Sequence, residues 1–270
     1  MNDYDLKYDW LDAKDSRDVT CCVCNGSYPA EDVFYFTING EKFSIKKCKE
    51  DGIMFLHPQP GRNFQAALYN HPTYFQGTDD MYGLLVDEEK SKEIGKMRVQ
   101  EILEKTNLRE SILEIGCGYG HTLLEAKKAG FKKADGIELS EEAVKSCIEK
   151  DLNVQKGFIE NIFRDFKPYK YDVVALYSTL EHFEDPSKFL SEVKAFLHND
   201  SLLIMRVPNE PKEGPWLSLV DHLWHFNEDS IKNLMSKNGF AVSKIFPSGS
   251  FQGIQHEGKL RSMTVIAKLK

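Results

Sequence analysis

The sequence predicts an α/β protein: a mostly parallel open sheet flanked by helices, with a small β module ahead of it. Three observations carry this. From residue 110 onward, apolar runs of strand length alternate with segments of helical periodicity, the pattern of a parallel sheet with crossover helices. The first of these runs, 111–115, leads into Gly116-Cys117-Gly118-Tyr119-Gly120, a glycine turn between strand and helix. Before residue 62, the alternating segments 33–38 and 42–45 flank Asn39-Gly40, a strong hairpin signal.

Taken in order, residues 1–62 form the β module. They carry four of the six cysteines and close on His57-Pro58-Gln59-Pro60-Gly61, where neither a helix nor a central strand continues. Residues 63–109 begin aromatic and polar (Tyr69, Tyr74, Phe75, Tyr82). They then place Ile94, Met97, Val99, Ile102 and Leu103 at amphipathic spacing, which predicts a helical cap. Residues 110–270 form the main domain, with strands at 111–115, 134–138, 153–156, 171–177 and 201–206. Ser140 is a good N-cap, and the helix behind it puts Val144, Cys147 and Ile148 on one face, so Cys147 is read as core. Asp185-Pro186 starts another helix, with the proline where no backbone donor is needed, followed by Phe189, Leu190, Val193, Phe196 and Leu197. A helix near 228–238 stops at Gly239, and strands follow at 240–246 and 262–268. Segment 207–227 is read as a lid.

Composition excludes several partners. With 35 Lys+Arg against 42 Asp+Glu the formal charge is −7, which argues against a sequence-blind grip on nucleic acid. The acidic start Met1-Asn2-Asp3-Tyr4-Asp5 is unlike a signal peptide, and no apolar stretch reaches membrane-spanning length. The expectation is a cytoplasmic protein of open oligomeric state, its cysteines suited to a reducing compartment.

The chemistry is concentrated around the glycine turn. Eighteen residues past Gly120, a second apolar run ends on Glu138, and an acid there can grip ribose hydroxyls while the turn lets backbone approach the ligand. The phosphate-cradling spacing G-x-G-x-x-G fails because its last position is His121, so an adenosine cofactor other than a dinucleotide is expected.

The run Glu114-Ile115-Gly116-Cys117-Gly118-Tyr119-Gly120, with Glu138, resembles the class I S-adenosylmethionine-dependent methyltransferases, whose first motif has the form E-x-G-x-G-x-G. The resemblance implies a Rossmann-like sheet with helices on both faces and an antiparallel C-terminal hairpin. It also implies S-adenosylmethionine as cofactor. Gly116, Cys117 and Gly118 would lie along its methionine portion and Glu138 at the ribose, with Glu114, Leu139 and Tyr177 also among the cofactor-binding residues. Phe158 or Ile159 would flank the adenine, with Glu160 accepting from its amine. The segment Leu180-Glu181-His182-Phe183-Glu184-Asp185-Pro186 resembles ubiquinone-biosynthesis-like O-methyltransferases and their small-molecule branch. Together the motifs cover about residues 60–270. They imply methyl transfer to a small molecule, foremost a hydroxyl of a sugar or secondary-metabolite intermediate. RNA 3′-end methyltransferases with a metal site carry Glu three residues before the Glu-His pair; this chain has Ser178 there, and that metal is not carried over.

Methyl transfer is an in-line displacement that needs a base only if the acceptor must lose a proton. His182, after the fourth strand, and His225, in Asp221-His222-Leu223-Trp224-His225-Phe226, are the candidates. The alternatives are that His182 orients its loop or the cofactor and that His225 is structural. Cys21-Cys22-Val23-Cys24 and Cys48-Lys49-Glu50-Asp51-Gly52 resemble the paired knuckles of a zinc ribbon found before some sugar and natural-product methyltransferases. Zinc would be held by Cys21, Cys24 and Cys48, with Asp51, Cys22 or His57 as the fourth ligand. A ribbon held by its hairpin and core alone is the alternative. The rival function is a cofactor-binding protein without turnover that docks a partner through the cysteine module.

Overall fold

The computed structural model describes residues 4–26, 28–71, 88–157, 169–209, 221–248 and 262–270. The amino-terminal sheet is built from β1 (Tyr4–Leu6), β3 (Ala30–Ile38), β4 (Glu41–Cys48) and β5 (Met54–His57), while β2 (Ser16–Arg17) bridges β6 (Gln59–Pro60). Asn39 (φ 51°) and Gly40 (φ 83°) turn the β3–β4 hairpin as predicted. The Asn39 side chain also donates to the carbonyls of Tyr8 and Leu11, pinning the hairpin tip to the chain start. The outer partner of β5 comes from far along the chain: β12 (Trp224–His225) pairs antiparallel with it, giving the order β1-β3-β4-β5-β12.

The main sheet has the order β13-β14-β11-β10-β7-β8-β9. Its strands are β7 (Ser111–Ile115), β8 (Lys133–Glu138), β9 (Asn153–Lys156), β10 (Tyr171–Tyr177), β11 (Leu197–Pro208), β13 (Phe240–Ser248) and β14 (Ser262–Leu269). The five strands from β11 to β9 run parallel, and β14 inserts antiparallel between β11 and β13. This is the predicted Rossmann-like methyltransferase sheet with its antiparallel ending. Strand order reverses at β7 and β10, and in such sheets ligands bind beyond the strand ends at that point.

The described α-helices are α1 (Arg62–Asn70), α2 (Glu88–Leu103), α3 (His121–Lys128), α4 (Glu141–Glu149), α5 (Pro186–Val193) and α6 (Glu228–Lys237). On one face, Val99, Ile102, Leu123, Ala126 and Cys147 pack on Ile112, Val173 and Ile204. On the other, Phe189, Leu190, Leu234 and Met235 join Leu113, Leu176 and Leu203 in a core continuous with Ile38, Ile45, Phe55 and Trp224 of the amino-terminal sheet. Ser140 and Asp185 cap α4 and α5 as expected.

Two expectations are corrected. Met97 is 68 % exposed, because α2 buries Ser91, Gly95, Val99 and Ile102, and Met97 lies two residues, about 200° of helix rotation, from both Gly95 and Val99. Ile148 is likewise exposed, because the buried arc of α4 centres on Ala143, Val144 and Cys147. Among the described residues no helix is long and apolar enough to cross a membrane.

Candidate cofactor and acceptor site

The loop after β7 is shaped by glycines. Gly116, Gly118 and Gly120 all have positive φ, where a side chain is strained. A Cβ at Gly116 would stand 2.6 Å from Thr179 Oγ1, so this position is needed for close packing of β7 against the end of β10. Gly118 faces open space, and its N–H donates to Glu138 Oε2 at 2.8 Å. The other Glu138 oxygen accepts from the N–H groups of Leu139 and Ser140, both at 2.8 Å. One carboxylate thus ties the glycine loop to the start of α4. A carboxylate has about four acceptor positions, so three backbone bonds leave room for about one ribose hydroxyl rather than two. Burial lifts the Glu138 carboxyl above its ordinary range, and the three donors oppose the rise. A cavity of about 370 Å³ adjoins this corner, between the end of α1 (Tyr69, Asn70, His71) and the start of α4 (Ser140, Glu141, Lys145).

Glu114 and Tyr177 lie on the sheet face toward α2. Arg98 Nη1 donates to Glu114 Oε1 at 3.5 Å and to Thr122 Oγ1 at 3.3 Å, and its guanidinium sits 4.2 Å over the Tyr177 ring. Arg206, 5.5 Å from the same ring, pairs with Glu101 at 3.1 Å. Burial pushes the Glu114 carboxyl up to about 7 despite Arg98, and burial pushes the Arg98 guanidinium down. Neither arginine was singled out by the sequence, since each is one charged residue in an otherwise ordinary helix or strand. Phe158, Ile159 and Glu160 lie outside the described residues.

On the other side of the crevice, β10 runs into a 3-10 turn, Leu180–His182. Thr179 Oγ1 donates toward the carbonyls of Ile115 and Tyr177, both at 3.2 Å, holding this turn against β7. His182 Nδ1 lies 2.8 Å from the Asp221 carbonyl, and its ring meets Tyr69 and His222 edge-on at 5.8 and 5.0 Å. Burial, and then the neighbouring His222, push the His182 imidazole down to about 4. His225 lies within β12, 1 % exposed, its ring 6.1 Å from that of His222. His182 thus stands on the turn after β10 and His225 is enclosed in β12, with the His222 ring near both.

In the amino-terminal module, Cys21, Cys24, Cys48 and Asp51 converge with their ligand atoms within 4.8 Å of one another. Asp51 Oδ2 lies 3.3 Å from Cys21 Sγ and 3.4 Å from Cys48 Sγ. The N–H groups of Val23 and Cys24 both point at Cys21 Sγ, at 3.4 Å. Three thiols and a carboxylate, with backbone donors already aimed at one sulfur, fit a tetrahedral zinc. Of the possible fourth ligands, the geometry favours Asp51, while His57 faces Asp18 at 3.6 Å.

The sheet order, the glycine turn and the acid ending β8 define the class I, S-adenosylmethionine-dependent methyltransferase fold. The profile of the methyltransferase domain matches residues 88–245, more than half of the chain, and the chain belongs to that family of enzymes. Solved structures share the fold at low identity. A methyltransferase from Archaeoglobus fulgidus is 18 % identical at a TM-score of 0.50, the match covering 66 % of this chain and 94 % of that one. The glycopeptide N-methyltransferase MtfA with sinefungin is 13 % identical at 0.52, over 65 % and 87 %. The magnesium protoporphyrin IX methyltransferase from Synechocystis, with bound S-adenosylmethionine, is 18 % identical at 0.50, over 73 % and 89 %.

Proposed function

We propose that the protein transfers the methyl group of S-adenosylmethionine to a small-molecule acceptor, foremost a hydroxyl of a sugar or secondary-metabolite intermediate. The observation that carries this reading is Glu138, whose carboxylate joins the glycine loop to α4 and keeps an acceptor position for a ribose. Gly116, Cys117, Gly118 and Leu139 are assigned to the cofactor with it, Glu114 and Tyr177 behind it, and Phe158, Ile159 and Glu160 to its adenine. Similar folds act on a glycopeptide and a porphyrin by their names, which supports a small or modular acceptor rather than a nucleic acid. His182 is assigned to the acceptor end. His225, inside β12, is too enclosed to share that contact.

Residues 1–62 are assigned as a zinc module, 63–109 as a cap and 110–270 as the catalytic domain with a lid at 207–227. Cys21, Cys24, Cys48 and Asp51 would hold the zinc, which fixes the module's shape. The free cysteines favour a reducing compartment, the cytoplasm.

Incubation of the protein and S-adenosylmethionine with fractionated metabolite extracts is expected to release S-adenosylhomocysteine in the fraction that holds the acceptor. In calorimetry, Glu138→Ala is expected to weaken cofactor binding by roughly ten- to a hundredfold, the worth of one hydrogen bond to a charged acceptor. Unchanged affinity would remove Glu138 from the ribose, and cofactor binding without release in any fraction would leave a binding protein.

A further inference from the structure

We propose that Glu181, His182 and His222 form a divalent-cation site at the acceptor end of the crevice. Each offers one ligand atom, and the three atoms lie within 4.8 Å of one another. Glu181 Oε1 is 3.9 Å from His182 Nε2 and 4.0 Å from His222 Nε2. Those separations are too long for hydrogen bonds. They are only slightly wider than the roughly 3.4 Å between two ligands on a tetrahedral ion with bonds of about 2.1 Å. A shift of well under an ångström by each side chain closes them on a cation.

The tautomer of His182 fits this role. Nδ1 lies 2.8 Å from the Asp221 carbonyl, which only accepts, so Nδ1 carries the hydrogen and Nε2 presents its lone pair on the Glu181 side. A ligating histidine is commonly oriented in this way by a carbonyl on its other nitrogen. The Glu181 carboxylate is fully buried, with both imidazoles beside it.

The two ligand-bearing segments are braced before any ion arrives. Leu223 N–H donates to the Glu181 carbonyl at 2.9 Å, and Trp224 Nε1 donates to the Phe183 carbonyl at 2.7 Å. With the His182–Asp221 bond, these hold residues 221–224 against the turn after β10 and preorganise the three ligands. Two imidazoles and one carboxylate leave coordination positions open, the arrangement of a catalytic rather than a closed structural site, and one suited to zinc, iron, cobalt or manganese.

The site's use rests on the proposed methyl transfer, although ion binding does not. The class of acceptor it selects has a hydroxyl oxygen able to ligate the cation. Ligation acidifies that O–H, whose proton leaves to solvent. The oxygen then attacks the methyl carbon, the O–C bond forms as the C–S bond breaks, and the electron pair stays on sulfur to give S-adenosylhomocysteine.

Titration of the full chain with Mn2+, followed by loss of the free-ion paramagnetic resonance signal, tests the site, because manganese disfavours the thiolates of the other cluster. A parallel titration uses Co2+. The expected result is one saturable Mn2+ or Co2+ per chain that His222→Ala weakens by at least about tenfold, while Asp51→Ala leaves it in place. Glu181→Gln is expected to act as His222→Ala does; should that buried variant not fold, the more accessible His222→Ala decides. Absence of saturable binding of both ions, or binding that His222→Ala leaves unchanged, overturns the proposal. Ion binding of the expected kind with no methyl transfer to any acceptor would sink the functional reading and leave the site standing.

Discussion

Glu114 shows how burial alone can make one side chain sensitive to pH. Its carboxyl, ordinarily near 4.5, is held up to about 7 because desolvation outweighs the attraction of Arg98. The folded protein therefore keeps a proton that the unfolded chain has already released. The contribution is full below about 4.5 and is lost as pH rises through about 7, amounting to at most roughly 3 kcal/mol. The thermal midpoint of the wild type is expected to fall between about pH 5 and pH 8, and Glu114→Gln, neutral throughout, to fall less. Parallel curves would show that Glu114 does not titrate there. Residues whose work is done on nearby backbone were legible from sequence: Glu138 on its loop, Ser140 and Asp185 as caps. Arg98, Glu181 and His222 were not assigned a role, since Arg98 meets Glu114 16 positions away and Glu181 meets His222 41 positions away, and only the fold brings these pairs together.

At the scale of elements, strands were easiest to place because fully apolar runs bounded by turns leave little choice. The predicted 201–206 proved to be the centre of the longer β11, whose polar first turn, His198-Asn199-Asp200, hid its start. The cap helix was harder, since its contact is made by small residues: a Cβ on Gly95 would stand 2.8 Å from the His121 carbonyl oxygen. Apolar spacing alone turned that helix toward Met97. β12 was missed as a strand because two residues carry no periodicity. It nevertheless joins the two sheets, with the Trp224 ring 5.6 Å from Phe55 and its indole N–H bonded to Phe183. Trp224→Ala is expected to cost about 3–5 kcal/mol in denaturant unfolding. A loss below about 1 kcal/mol would mean that the junction holds without it.

For the whole molecule, alternation of strands and helices gave the main sheet, but the docking of the amino-terminal module on it was not visible. Its contacts span 164, 167 and 175 positions: Gln59 to the Leu223 carbonyl, Arg17 to the Glu184 carbonyl, Asn227 to the Gly52 carbonyl. Fresh protein prepared without chelator is expected to contain one zinc per chain that Asp51→Ala removes while Mn2+ uptake persists, and stripping it is expected to lower the thermal midpoint. Metal-free, fully reduced protein with an unchanged midpoint would show that hairpin and core alone hold the module.

The pairing of β5 with β12 also sets a timetable. A ribosome finishes the first four strands of the small sheet long before it reaches Trp224, so the hydrogen-bonding edge of β5 stays open until the long stretch between His57 and Trp224 has been made. During that interval the nascent chain exposes Phe55 and a row of unsatisfied backbone groups, the kind of edge that invites association with other chains. Completion of the small sheet waits for the distant segment that also carries His222, so the amino-terminal module and the turn after β10 are joined in a single event once Trp224 has been made.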